Sequence, residues 1–126
     1  MKLYADQPAN LNIVTGYGQD YVLINTQRHE GNLLITPDEV FANWAPGGFT
    51  GLIADDFVAV RNLQAQVVII GTGARQRFPA PALLRPLIEA GIGFEVMDLP
   101  AACRTYNILA NEGRKVVAAL LFEAAN

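Results

Sequence analysis

The residues of this chain best suited to chemistry lie at Gly71-Thr72-Gly73, with Arg75 and Arg77 close behind and Arg104 further along. A glycine-rich turn between a strand and a helix offers unpaired backbone N–H groups, and guanidinium forks add charged donors, so the pattern suits an anion. Gly71, Thr72, Gly73, Arg75 and Arg104 are therefore the candidate ligand-binding residues. Position 76 is Gln, so the G-x-G-x-x-G dinucleotide fingerprint fails; no Gly-Lys-Ser/Thr follows, so the nucleotide-hydrolase phosphate loop fails too. Turn glycines with a purely structural role are the simpler reading, and a ligand loop is the second.

Cys103 beside Arg104 is the other chemical candidate, since a helix N-terminus and a guanidinium both favour thiolate. A cysteine flanked by Ala101 and Ala102 reads more simply as a small core residue. His29 is the sole imidazole available as a base and falls in a turn-like stretch, exposed and idle. No G-x-S-x-G elbow exists, so no catalytic residue is assigned. Asp55-Asp56 reads as a solvated turn rather than a cation site. One Cys and one His cannot supply the ligands of a structural zinc, and neither a metal nor a cofactor is expected.

Several elements must position these residues. Val67-Val68-Ile69-Ile70 is a continuous β-branched run, as expected of a strand covered on both faces, and it ends at Gly71. Pro79 and Pro81 open a helical stretch that presents Leu83, Leu84, Leu87 and Ile88 on one face, with Pro86 predicting a kink or a shortened first turn and Gly91 closing it. Ile92–Met97 reads as a strand. Pro100 starts a second helix whose inward face is Ala101, Thr105, Ile108 and Leu109 and whose stop is Gly113, and Val116–Phe122 is a third strand. This β-α-β-α-β order predicts a parallel or mixed sheet. Glu95 with Arg104, and Glu112 with Arg114, read as ion pairs that fix helices on that sheet.

The first half is more irregular. Ile13-Val14, Tyr21–Asn25 and Asn32–Thr36 read as an antiparallel meander, separated by turn-like Gly16–Asp20 and Arg28–Asn32. Thr36-Pro37-Asp38-Glu39 resembles a helix start, with Val40, Phe41 and Trp44 on its buried side. Phe57–Val60 reads as a further strand, and Trp44 with Phe49 as a core edge or an apolar contact patch.

Composition agrees with a folded domain. The 126 residues are 52% hydrophobic and 17% charged, which excludes a disordered chain, and this length buries roughly two thirds of its unfolded surface. A single α/β domain spanning residues 1–126 is expected. Nine basic and 12 acidic residues give a net charge of −3, with no positive field to condense on nucleic acid. Residues 1–62 hold three bases and seven acids, residues 63–126 six and five. The absence of a signal-peptide pattern and of any membrane-length apolar run predicts a cytoplasmic protein with no integral membrane segment. A homodimer is compatible with the composition, though no residue requires one.

Val68-Ile69-Ile70-Gly71-Thr72-Gly73, then Glu95-Val96-Met97-Asp98, then Ala101–Leu109 with Glu112-Gly113-Arg114, resemble a family of small bacterial and archaeal domains of unknown function. That family includes the mitochondrial respiratory complex I assembly factor 3 and the adipogenesis-associated Mth-type domain protein. The likeness is strongest over residues 67–122 and reaches more loosely to Leu33-Leu34-Ile35 and Trp44. It implies a compact three-layer α/β fold with a mixed sheet, a small antiparallel sheet and two main helices. It also implies a binding or assembly role toward an unidentified protein partner, with no catalytic residues to carry over. Leu99 stands where many members have a small hydroxyl residue after Met-Asp, which weakens that turn as a polar site. The competing expectation is a small-molecule or anion-binding protein, or an enzyme, built on the Gly71-Thr72-Gly73 turn with Arg75 and Arg104.

Overall fold

The computed structural model describes residues 11–122. A three-stranded antiparallel ribbon comes first: β1 (Val14–Tyr17), β2 (Tyr21–Ile24) and β3 (Gln27–Glu30). A five-stranded sheet takes the order β5-β4-β8-β6-β7, from β4 (Leu33–Ile35), β5 (Val40–Ala42), β6 (Val67–Gly71), β7 (Gly93–Met97) and β8 (Val116–Leu120). β6 runs parallel to both β7 and β8, while β4 is antiparallel to β5 and β8, so the sheet is mixed. The helices are α1 (Ala54–Arg61), α2 (Arg85–Glu89), preceded by a 3-10 turn at Pro81–Leu84, and α3 (Leu99–Asn111).

Alternation along the central strands builds two cores and hence three layers. Ile69, Val116, Ala118 and Leu120 face α3 and the ribbon, packing with Ala102, Cys103, Tyr106, Val22 and Ile24. Val68, Ile70, Val117 and Ala119 face the opposite way, against Phe57, Val60, Leu84, Leu87 and Trp44. β8 is buried at all five positions, because its two neighbours and both layers cover it.

The expected mixed sheet, small antiparallel sheet and C-terminal β-α-β-α-β order are all present. Several local readings are corrected. Arg28–Glu30 lies in β3 and not in a turn; the reversal falls at Asn25-Thr26, whose φ angles of 50° and 72° form a two-residue hairpin loop. Leu33–Ile35 leaves the meander and pairs with β8 instead. Thr36–Glu39 starts no helix: the Thr36 hydroxyl accepts the N–H groups of Asp38 and Glu39 at 3.2 and 2.9 Å, closing the β4–β5 hairpin with the same geometry that caps a helix. Phe57–Val60 belongs to α1, where the i, i+3 spacing sets Phe57 and Val60 together in the core. Among the described residues α1 thus joins α2 and α3 as a third helix. Pro86 falls at the start of α2, where a missing N–H costs nothing, and the helical stretch is shortened as expected, its first turn being 3-10 over Pro81–Leu84. Finally, α3 buries Leu99, Ala102, Cys103, Tyr106 and Ala110, not the face through Ala101, Thr105, Ile108 and Leu109; Ile108 is 58% exposed.

Candidate functional site

β6 delivers Gly71-Thr72-Gly73 to the carboxyl end of the parallel strands, the place the sequence indicated. Gly71 is small because α3 passes close: a Cβ there would lie 2.8 Å from the Ala102 Cβ and 3.0 Å from a Leu120 methyl carbon. Gly73 has φ = 91°, in the left-handed region that favours glycine. Between them Thr72 is completely buried.

Thr72, Arg77 and the glycine carbonyls of this turn bond within the chain. The Thr72 N–H donates to the Met97 carbonyl at 2.9 Å, and its hydroxyl donates to the Arg75 carbonyl at 2.8 Å while accepting the Arg77 N–H at 2.9 Å. Arg77 curls back, its Nη2 and Nε donating to the Thr72 carbonyl at 2.8 and 3.2 Å, and its guanidinium carbon lies 4.4 Å from the Phe49 ring centre. The Gly71 and Gly73 carbonyls accept from Leu121 and Leu99 at 2.8 and 2.7 Å. The Asp98 carboxylate caps α3 by accepting the Ala101 N–H at 2.9 Å. Arg75 and Arg104 are exposed.

Arg77, set aside in the sequence in favour of Arg75, is thus the arginine that organises the turn. The signal for it was weak, because a bond from a side chain back to a carbonyl five residues earlier has no periodic signature. Arg77 also borders a surface cavity of about 770 Å³ shared with Asp20, Glu30, Asn43, Trp44 and Phe49. A smaller, mostly apolar recess of about 320 Å³ lies between Tyr17–Gln19 of the ribbon and Gly73, Ala74, Leu99 and Pro100.

Cys103 is buried against the ribbon side of the sheet, 2% exposed. Burial pushes its thiol up to about 12, with Arg104 opposing the shift. A group held protonated this firmly is a core residue and not a nucleophile near neutral pH. His29 sits in β3 opposite Val22, half-buried rather than idle in a turn. Asp56 accepts the Ile53 N–H at 2.9 Å at the start of α1, and its carbonyl accepts the Trp44 indole N–H at 2.8 Å. Trp44 is buried, edge-on to Phe57 with ring centres 5.8 Å apart. Glu95 with Arg104, and Glu112 with Arg114, form no ion pairs; among the described residues such pairs join Arg28 to Glu30 at 2.9 Å and to Asp20 at 4.0 Å. Among the described residues no group of three or more His, Cys, Asp or Glu is placed to hold a metal ion, and no helix is long and apolar enough to cross a membrane.

A family model described as a protein of unknown function (DUF498/DUF598) matches residues 14–121. The chain is 32% identical over 110 residues to the NADH dehydrogenase [ubiquinone] 1 alpha subcomplex assembly factor 3 of Bos taurus, covering 86% of this chain and 59% of that protein. With its Homo sapiens counterpart it shares 30% identity over 123 residues, 96% of this chain and 66% of that one. The chain therefore spans less than two thirds of these relatives. A crystal structure from Bordetella parapertussis superposes with a TM-score of 0.82 at 40% identity, over 92% of this chain and 100% of that one. The solution structure of a Mth938-like domain from Bordetella pertussis gives 0.77 at 34% identity, over 96% and 92%.

Proposed function

The chain belongs to the DUF498/DUF598 family of proteins of unknown function, and from that premise we propose that it acts by binding another protein, as an assembly factor, and not by turnover. The observation that carries this reading is the likeness, across most of this chain, to proteins named as NADH dehydrogenase [ubiquinone] 1 alpha subcomplex assembly factors. The site chemistry supports it. At the strand-end turn, where an α/β enzyme would present donors to a substrate, Thr72, Arg77 and the two glycine carbonyls are engaged in holding the fold together. The Cys103 thiol, the candidate nucleophile, is buried. We place the activity in the cytoplasm and treat residues 1–126 as one α/β unit.

The experiment is removal of the chain from its cell. An assembly factor leaves the subunits of some multi-subunit complex synthesised at normal levels but stalled as a subcomplex, and restoring the chain completes it. Normal assembly of every such complex would refute the reading. The second reading, an anion held over Gly71-Thr72-Gly73 by Arg75 and Arg104, has in its favour the location of the turn and the exposure of both guanidinium groups.

A further inference from the structure

Among the described residues, β3 presents an open strand edge. In a two-residue hairpin the residues flanking the loop form a hydrogen-bonded pair, and such pairs recur at every second position. With the loop at Asn25-Thr26, Ile24/Gln27 and Val22/His29 bond to each other, so Arg28 and Glu30 aim their N–H and C=O groups away from β2. Among the described residues no hydrogen bond meets those outward groups, an arrangement that invites another strand.

The other edges are blunted. On β1, Asn107 of α3 accepts the Val14 N–H at 2.9 Å and donates to the Val14 carbonyl at 2.8 Å, and the register breaks between Val14 and Gly16. On β7, the Gln76 amide covers the Val96 carbonyl at 2.8 Å, and a symmetric pairing centred on the middle of that strand would set Glu95 against Glu95. β5 is only three residues long.

We propose that β3 pairs with the β3 of a second copy, antiparallel about a two-fold axis at His29, joining two three-stranded ribbons into one continuous sheet. Charge selects both the occupant and the register. Outward-facing residues must meet outward-facing residues, which leaves Arg28 opposite Arg28, Glu30 opposite Glu30, or Arg28 opposite Glu30. The first two repel. The third sets two attractive pairs symmetrically, with His29 facing its own copy at the non-bonded position between them. In the single chain Arg28 and Glu30 already share one face, 2.9 Å apart, with the Arg28 guanidinium carbon 3.8 Å from the Tyr21 ring centre, so both charges stand ready on the exposed side of the ribbon. Overlap of one short edge makes a small interface, so the dimer dissociates in the micromolar range or more weakly.

Sedimentation velocity across a concentration series from about 10 μM to about 1 mM covers that range. The wild-type chain shifts from monomer to dimer. Arg28→Glu and Glu30→Arg each weaken association by about tenfold or more, because each turns both attractive pairs into repulsive ones, and the two substitutions together restore it. Far-UV circular dichroism checks that each variant folds. Independently, in the wild-type chain, the amides of Arg28 and Glu30 exchange more slowly as concentration rises, while those of Gln27 and His29, already bonded to β2, do not change. A chain that stays monomeric at the highest concentration, a double variant that fails to restore association, or protection that appears on another strand overturns the proposal. None of these outcomes bears on the binding of a different protein.

Discussion

Replacing Gly71 with Ala separates a packing glycine from a ligand glycine. The added Cβ would lie 2.8 Å from the Ala102 Cβ and 3.0 Å from a Leu120 methyl carbon, against an ordinary carbon–carbon contact of about 3.5–4.0 Å. Leu120 can turn aside, but Ala102 has no rotamer to change, so α3 must move. It cannot move freely, because the Asn107 amide grips both sides of the Val14 backbone and the Tyr106 hydroxyl donates to the Asn12 carbonyl at 2.8 Å. Overpacking of this kind costs about 1–3 kcal/mol. The reduced entropy of the unfolded chain returns about 0.4–1 kcal/mol, leaving a net loss of about 1–2 kcal/mol. At about 4 °C per kcal/mol for a domain of this size, Tm falls by about 4–8 °C. Urea unfolding measures the loss directly. Ala102→Gly in the Gly71→Ala background relieves the clash, so the double variant is more stable than the sum of the single losses. A Gly71→Ala chain within about 0.5 kcal/mol of wild type would refute the packing argument.

Other outcomes follow from the same contacts. Cys103→Ala costs about 1 kcal/mol, and thiol reagents label native Cys103 slowly but the unfolded chain at once; prompt native labelling would contradict the burial. Because the folded thiol titrates near 12 and the unfolded one near about 8.5, the unfolded chain loses this proton first, so Cys103 makes stability fall as pH rises above about 8.5. Cys103→Ala removes that part of the alkaline slope in unfolding titrations. Asn107→Ala breaks both bonds to Val14 and costs about 1–3 kcal/mol, with faster amide exchange in β1 than in β8 as its local signature. Arg75→Ala and Arg104→Ala leave stability within about 0.5 kcal/mol, both side chains being exposed; if either abolishes the binding of an anionic compound, the anion-site reading stands.

Legibility in the sequence followed how far an element is decided locally. Val67–Ile70 announced itself because a strand covered on both faces must be apolar throughout. Gln27-Arg28-His29-Glu30 did not, since an edge ribbon with little burial carries the polar composition of a turn. The Phe57–Val60 run is apolar at four consecutive positions, which hid the i, i+3 pair that α1 buries. On α3 an apolar stripe was visible, but small Ala102 and Cys103 face the sheet while Ile108 faces outward, because close approach to Gly71 selects for size and not for hydropathy. The strand-end turn was placed correctly from Gly71 and Gly73. What Thr72 does there depends on Met97, a neighbour from another strand, and Asn107 meets Val14 across 93 positions of chain. Contacts of that range leave no local pattern.

Binding of a protein is the activity proposed for this chain. Its most direct measurement is capture of the tagged chain at native abundance, with quantified mass spectrometry of what is retained, beside a thermal-shift screen of metabolites on the same purified chain. A protein partner is recovered in stoichiometric amount, and no metabolite raises Tm. Recovery of no partner, together with tight binding of a metabolite, would contradict it.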